Sequence, residues 1–219
     1  MPSLKFFRQA GLFVVPGFLD PKFVADLCAA MTVAPAEKGR VVESDGLEGV
    51  DEKIRKVESI VLPREIRADL KKRLAGLLPQ LEKHFKMQLG GCESPGFLIY
   101  RPGDFYTPHK DGGSPSGKNQ TSRQRRVSVV IFLNRESPEP EEGAYGQGRL
   151  TFYGLLKDKG PDWERCPLPL SAEPGLLVAF PSQMIHGVTP VSHGQRLTVV
   201  TWFYASDPET KSETVEPPK

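Results

Sequence analysis

Hydrophobic positions change their period once along this chain, near residue 96. Before it, apolar residues recur every three or four positions; after it, they run in short β-branched and aromatic blocks. The stretch "LFVVPGFLD" predicts a short buried strand and a turn. Asp20-Pro21 then supplies a helix N-cap and a first-turn proline, and Phe23, Val24, Leu27, Cys28 and Met31 form one helical stripe. Residues 32–52 are turn-rich and charged with no clear period, and read as a loop. "KVESIVLP", 56–63, reads as a strand ending at Pro63. Over 64–87, Ile66, Leu70, Leu74, Leu77, Leu78, Leu81 and Phe85 predict an amphipathic helix, which Pro79 should kink or divide.

From residue 96 the period moves towards two. "GFLIYRPG", "RRVSVVIFLN", "GRLTFYG", "GLLVAFPS" and "RLTVVTWFY" read as strands between polar, Gly- and Pro-rich loops. That pattern predicts a mainly β architecture, a sandwich or barrel with supporting N-terminal helices. Residues 206–219 are polar and poor in apolar side chains, which predicts a disordered tail.

Composition narrows the function classes. At 219 residues with 38% hydrophobic and 26% charged content, the chain suits one globular domain. A net charge of +2 gives no reason to expect nucleic-acid or membrane partners; the basic run "RQRR" ending at Arg126 reads as a solvated loop edge, and Lys118, Arg123, Arg125 and Arg126 could attract an acidic partner or equally be solubilising. No signal peptide or membrane span is expected. Cys28, Cys92 and Cys166 are odd in number and far apart, so reduced thiols and a cytoplasmic location are the expectation.

The candidate chemistry starts in "YRPGDFYTPHKD", 100–111. His109 and Asp111 are two apart, so an extended chain projects both to one face, where they could hold one divalent ion. A His-x-Asp pair alone is a weak signal. His186, after the apolar run "GLLVAF", is a candidate third ligand. Arg196 opens another apolar run, an odd place for a charge unless it meets an anion. Two histidines and a carboxylate on one face leave coordination positions open, as in non-haem Fe(II) oxygenases. Other residues also have plain structural readings. Tyr100 and Thr198 could be ordinary strand residues, Tyr106 a wall and Trp202 a core side chain; His193 reads as a solvent-facing turn histidine.

Taken jointly, the motifs resemble the Fe(II)/2-oxoglutarate dioxygenase superfamily, and its prolyl 4-hydroxylase branch most. The carriers are Tyr100, Gly103, Tyr106, His109 and Asp111; then Phe132-Leu133-Asn134 before "GRLTFY"; then Phe180, His186 to Val191, Arg196, Thr198 and Trp202. The close resemblance covers residues 96–204. It implies a double-stranded β-helix, a distorted cupin-like jelly roll, forming one domain over 1–205 with support elements in 1–90 and the core in 91–205. It implies Fe(II) on His109, Asp111 and His186, and 2-oxoglutarate met by Arg196, Thr198 and Tyr100. O2 would be the second cosubstrate, ascorbate a possible reductant, and Tyr106 and Trp202 would face the substrate.

The implied reaction is hydroxylation of an unactivated C–H bond in a prolyl residue of a peptide or protein. A free amino acid or small metabolite is the alternative substrate. Collagen-type prolyl hydroxylases commonly carry lysine where Arg196 stands, which weakens the peptide reading but not the cosubstrate one. Asp111 argues against a halogenase, and Trp202 occupies the place of a second arginine in the nucleic-acid demethylases. A metal-dependent hydrolase or isomerase, or a non-catalytic scaffold on a similar barrel, are the rival classes. Stretches 32–55 and 112–125 are expected to flank the iron mouth.

Overall fold

The computed structural model describes residues 1–39, 41–42, 48–49, 51–113, 120–156 and 166–206. Helix α1 (Leu4–Gln9) leads into β1 (Phe13–Val15) and α2 (Pro21–Val33). There follow β2 (Ala36–Lys38), a small pair β3 (Val41–Val42) and β4 (Glu48–Gly49), β5 (Arg55–Lys56) and β6 (Glu58–Ile60). Helices α3 (Arg64–Ala75) and α4 (Leu78–Phe85) precede β7 (Leu89–Cys92), β8 (Gly96–Tyr100) and β9 (Phe105–His109). The rest comprises α5 (Gln120–Gln124), β10 (Arg125–Phe132), β11 (Tyr145–Gln147), β12 (Leu150–Phe152), β13 (Leu168–Pro169), β14 (Leu177–Pro181), β15 (His186–Val188), β16 (Val191–Gly194) and β17 (Arg196–Ala205). No helix among the described residues is long and apolar enough to cross a membrane.

Local chemistry explains the helix ends. The Asp20 carboxylate accepts the Phe23 N–H at 2.8 Å, and Pro21 occupies the first turn of α2. Pro79 divides the long apolar stripe rather than kinking it. It lies in the first turn of α4, where its missing N–H costs no hydrogen bond, and α3 has already ended at Gly76.

The strands form two facing sheets. The larger runs β1-β14-β10-β17-β8-β6-β2, with β7 on the far end of β17; the smaller runs β13-β12-β15-β9-β5. Together they make the double-stranded β-helix. Side-chain alternation decides which face each strand residue serves. Val127, Val129 and Ile131 of β10, with Leu197, Val199 and Phe203 of β17, pack outward against Leu27, Met31, Leu70, Leu74 and Leu81 of the helices. Leu70 and Leu74 are fully buried there, so truncating either to Ala costs about 2–5 kcal/mol. The inward residues of the same strands divide the interior in two. Val130, Phe132, Val178, Phe180 and Phe152 join Phe7 in an apolar plug. Arg196, Thr198, Val200 and Trp202 line a cavity instead.

Two expectations change. Residues 32–52 are not a continuous loop: α2 extends to Val33, and β2 pairs with β6 at the sheet edge. The strand expected over 56–63 is two short ones, β5 in the smaller sheet and β6 in the larger. The chain passes from one sheet to the other at Val57, whose side chain is buried between them. The tail expected over 206–219 lies, apart from Ser206, outside the described residues.

Candidate metal centre and cosubstrate pocket

His109 ends β9 and His186 begins β15, and the ladder between these strands sets them directly opposite each other. Asp111 follows two residues beyond the end of the strand. Its backbone N–H and that of Gly112 both donate to the Ser182 carbonyl, at 3.0 and 2.8 Å, which turns the carboxylate back towards the histidines. Asp111 Oδ1 lies 3.3 Å from His109 Nε2, and Oδ2 lies 3.4 Å from His186 Nε2. One ligand atom from each of the three residues falls within 4.8 Å of the others.

The orientation of both rings is fixed from behind. His109 Nδ1 meets the Thr107 carbonyl at 2.8 Å and His186 Nδ1 meets the Met184 carbonyl at 3.0 Å. With its proton held there, each neutral imidazole presents a bare Nε2 lone pair to the space beside Asp111. The electrostatics of the trio centre on the carboxylate. Burial alone would push the Asp111 carboxyl up, but His186 and His109 hold it well below the usual range. Burial lowers His109. It would lower His186 as well, but Asp111 outweighs it and the net shift is upward. An anionic carboxylate between two nitrogen donors is a donor set for a first-row divalent cation.

Across the cavity stands Arg196, 1% exposed. None of the ion pairs among the described residues involves it. Its Nη1 reaches Thr198 Oγ1 at 3.4 Å, and its Nε is buried without a partner. The guanidinium lies 5.0 Å from the Tyr100 ring centroid and 5.3 Å from that of Phe132. Burial raises the Tyr145 phenol, and the nearby Arg196 cation opposes the shift. A buried cation without a counter-ion is costly, so this end of the cavity suits an anion. The cavity measures about 340 Å³, within the range of small-ligand sites.

All eight residues singled out in the sequence line this one cavity: Tyr100, Tyr106, His109, Asp111, His186, Arg196, Thr198 and Trp202. The Tyr106 ring stacks on His109 with centroids 3.5 Å apart, the Arg55 guanidinium lies 4.9 Å from the Tyr106 centroid, and burial pushes the Tyr106 phenol up to about 12. The stretches expected at the mouth contribute Glu37, Lys38, Gly39 and Arg55 from the first, and Ser122 and Arg125 from the second; residues 114–119 lie outside the described residues.

Sequence reasoning missed Arg125. It sits 3.7 Å above the Trp202 ring while Glu93 grips it at 2.7 and 2.8 Å. Its signal was the same as that of Arg196, an arginine opening an apolar run. His193 is not in a turn but in β16, opposite Gly146 of β11.

Fold and cavity together define a class, the non-haem iron oxygenases that take a keto acid as cosubstrate. Residues 95–204 match the model of the 2OG-Fe(II) oxygenase superfamily, and the chain belongs to that family. Its members use Fe(II), 2-oxoglutarate and O2, and the donor set and the buried arginine without an ion-pair partner among the described residues fit the metal and the dicarboxylate. A PKHD-type hydroxylase of Teredinibacter turnerae is 31% identical over 52% of this chain, and the match spans 44% of that protein's length. The PKHD-type hydroxylase YbiX of Escherichia fergusonii is 26% identical over 88% of this chain and 77% of its own. Among solved structures, a Pseudomonas putida prolyl-4-hydroxylase superposes with a TM-score of 0.66 at 21% identity, covering 93% of this chain and 97% of that one. A Trichoplax adhaerens prolyl hydroxylase, in complex with a peptide fragment of the hypoxia inducible factor oxygen degradation domain, gives 0.63 at 17% identity, covering 97% and 90%. At these identities the structural likeness establishes the fold.

Proposed function

We propose that this oxygenase hydroxylates a prolyl residue of a peptide or protein, with Fe(II) on His109, Asp111 and His186 and the far carboxylate of 2-oxoglutarate on Arg196. The observation that carries the cosubstrate assignment is Arg196 itself, a buried arginine on the metal cavity that no carboxylate among the described residues pairs with. Its fork can meet a carboxylate in bidentate fashion, and the Thr198 hydroxyl shares the same strand face. Tyr100 pairs with Arg196 across the β8–β17 ladder and is in place to donate a phenol hydrogen bond to the same ligand.

When bound, iron with 2-oxoglutarate and O2 supplies the oxidising power for C–H hydroxylation, releasing succinate and carbon dioxide. The chain's own residues bind, orient and exclude water. The carbonyls of Thr107 and Met184 keep both histidines in the ligating tautomer. Tyr106 and Trp202 give the cavity aromatic walls on the side away from Arg196, suited to a pyrrolidine ring. The peptide reading is supported by the proteins this chain is similar to: two PKHD-type hydroxylases, a prolyl-4-hydroxylase and a prolyl hydroxylase in complex with a peptide fragment.

The test is an anaerobic titration of the apo-protein with Fe(II) and 2-oxoglutarate, followed by visible absorption. A weak charge-transfer band that requires both additions is the expected result; iron bound with no band overturns the cosubstrate assignment. Proline-containing peptides and free proline are then compared by mass spectrometry. A gain of one oxygen on free proline alone overturns the peptide reading.

A further inference from the structure

The metal cavity does not end at Trp202. Arg125 lines it on one side and on the other lines a second, open cleft with Met87, Gly113, Arg123, Arg126 and Gln183. Arg125 is the residue that the two linings share. The floor of this cleft is tied to the metal site: Gln183 Nε2 donates to the Gly112 carbonyl at 3.1 Å, one residue beyond Asp111, and the Gly113 N–H donates to the Ser122 carbonyl at 2.8 Å.

Its charge is local. The chain as a whole carries only +2, yet three arginines meet here. Glu93 neutralises Arg125. Arg123 and Arg126 are exposed, and neither takes part in any ion pair among the described residues. Arg126 is nonetheless held in place, because its Nη1 donates to the carbonyls of Arg123 and Arg125 at 2.8 and 3.1 Å. A guanidinium anchored by uncharged acceptors keeps its full charge and loses little side-chain freedom on meeting an anion.

We infer that this cleft binds acidic residues of the substrate chain, so that the enzyme selects a prolyl residue with Asp or Glu within a few positions of it. The inference rests on the peptide-hydroxylase reading above and deepens it. A short extended segment reaching from the cavity over Arg125 places its next side chains on Arg123 and Arg126. Each carboxylate so engaged forms charge-assisted hydrogen bonds, worth about tenfold in affinity.

The test uses the full chain with Fe(II) and 2-oxoglutarate under anaerobic conditions, so that binding is read without turnover. Short fluorescein-labelled peptides with a central proline carry Glu, Gln or Lys at the flanking positions, and anisotropy reports their affinities. The Glu peptide is expected to bind about tenfold or more tighter than the Gln peptide, less so as salt rises. The doubly reversed variant Arg123→Glu, Arg126→Glu is expected to prefer the Lys peptide while keeping its 2-oxoglutarate charge-transfer band. Equal affinity for the Glu and Gln peptides overturns the inference, as does a Glu preference that survives charge reversal. An oligothymidylate of matched charge binding more tightly than the Glu peptide also overturns it, in favour of a nucleic-acid surface. Loss of the band in the unaltered protein counts against the cosubstrate reading, and the peptide preference is read separately from it.

Discussion

The imidazole rings of His109 and His186 lie 4.3 Å apart because the two residues are directly opposed in the β9–β15 ladder. Donor geometry is therefore a property of backbone register. Gly187, next to His186, is what lets the strands come so close. A Cβ there would sit 2.9 Å from the Tyr106 carbonyl oxygen and 3.2 Å from Pro108 N, both backbone atoms of the facing strand. Gly187→Ala must push β15 away from β9 with all three ligands intact. The expected outcome is Fe(II) affinity about tenfold to hundredfold weaker, with an unchanged far-ultraviolet circular dichroism spectrum. Anaerobic iron binding measured on the purified variant checks this, and wild-type affinity would show that the register is not what spaces the donors.

Trp202 is held by a stack. Glu93 fixes Arg125, and Arg125 covers the indole at 3.7 Å. If Trp202 faces the substrate, Trp202→Ala raises the peptide KM by about tenfold and leaves the 2-oxoglutarate band in place. Glu93→Gln weakens the same wall less, by about threefold. A band lost in Trp202→Ala would instead put the indole on the cosubstrate.

Asp20 gives a pH prediction outside the site. The hydrogen bond from the Phe23 N–H, helped by Arg73, holds its carboxyl below the ordinary value. A depressed folded-state pKa contributes stability above the unfolded value near 4, about the ordinary carboxylate range, and loses it as pH falls through the lower folded value. Asp20→Asn keeps the cap without the titration. Urea midpoints followed downward from neutral pH should therefore show wild type ahead of Asp20→Asn at first and the two converging in acid; Asp20→Ala should trail both at neutral pH.

How much of this was legible beforehand depended on the range of the signal. The period-two runs from residue 96 mark β8, β10, β12, β14 and β17, because one face of each meets helices and the other an interior. The four principal site residues were readable because each breaks its local pattern: Arg196 opens an apolar run, His109 and Asp111 follow one extended stretch at a spacing of two, and His186 follows the apolar run "GLLVAF". Short elements left no such trace. Helix α1 has six residues and β5 two, too few to show a period, and α1 was missed although Ser3 caps it. The Arg125–Glu93 pair spans 32 residues, and no local pattern couples them. Arg123 and Arg126 read equally as a solvated edge or as a lure for an acidic partner, because their charge is legible in the sequence and the neighbouring cleft is not.

Arg196 opposes stability to function. Arg196 is buried, with Nε unpartnered and no carboxylate of the described residues paired to it. Burying a charge in that state is unfavourable, and an unbranched apolar side chain of similar length removes the cost. Arg196→Met is therefore expected to raise the unfolding free energy of the cosubstrate-free protein by about 1–3 kcal/mol. It is also expected to weaken 2-oxoglutarate binding by about a hundredfold, since one partner of a buried charge pair is gone. The ligand response separates the two effects. Saturating wild type at about a hundred times Kd should add about 2.7 kcal/mol, whereas the same concentration should leave the variant almost unmoved. Chemical denaturation of both proteins, with iron and with or without 2-oxoglutarate under anaerobic conditions, reads all four states. A variant less stable than wild type without ligand would mean that the chain itself satisfies this arginine, and the anion-site assignment would fall with it.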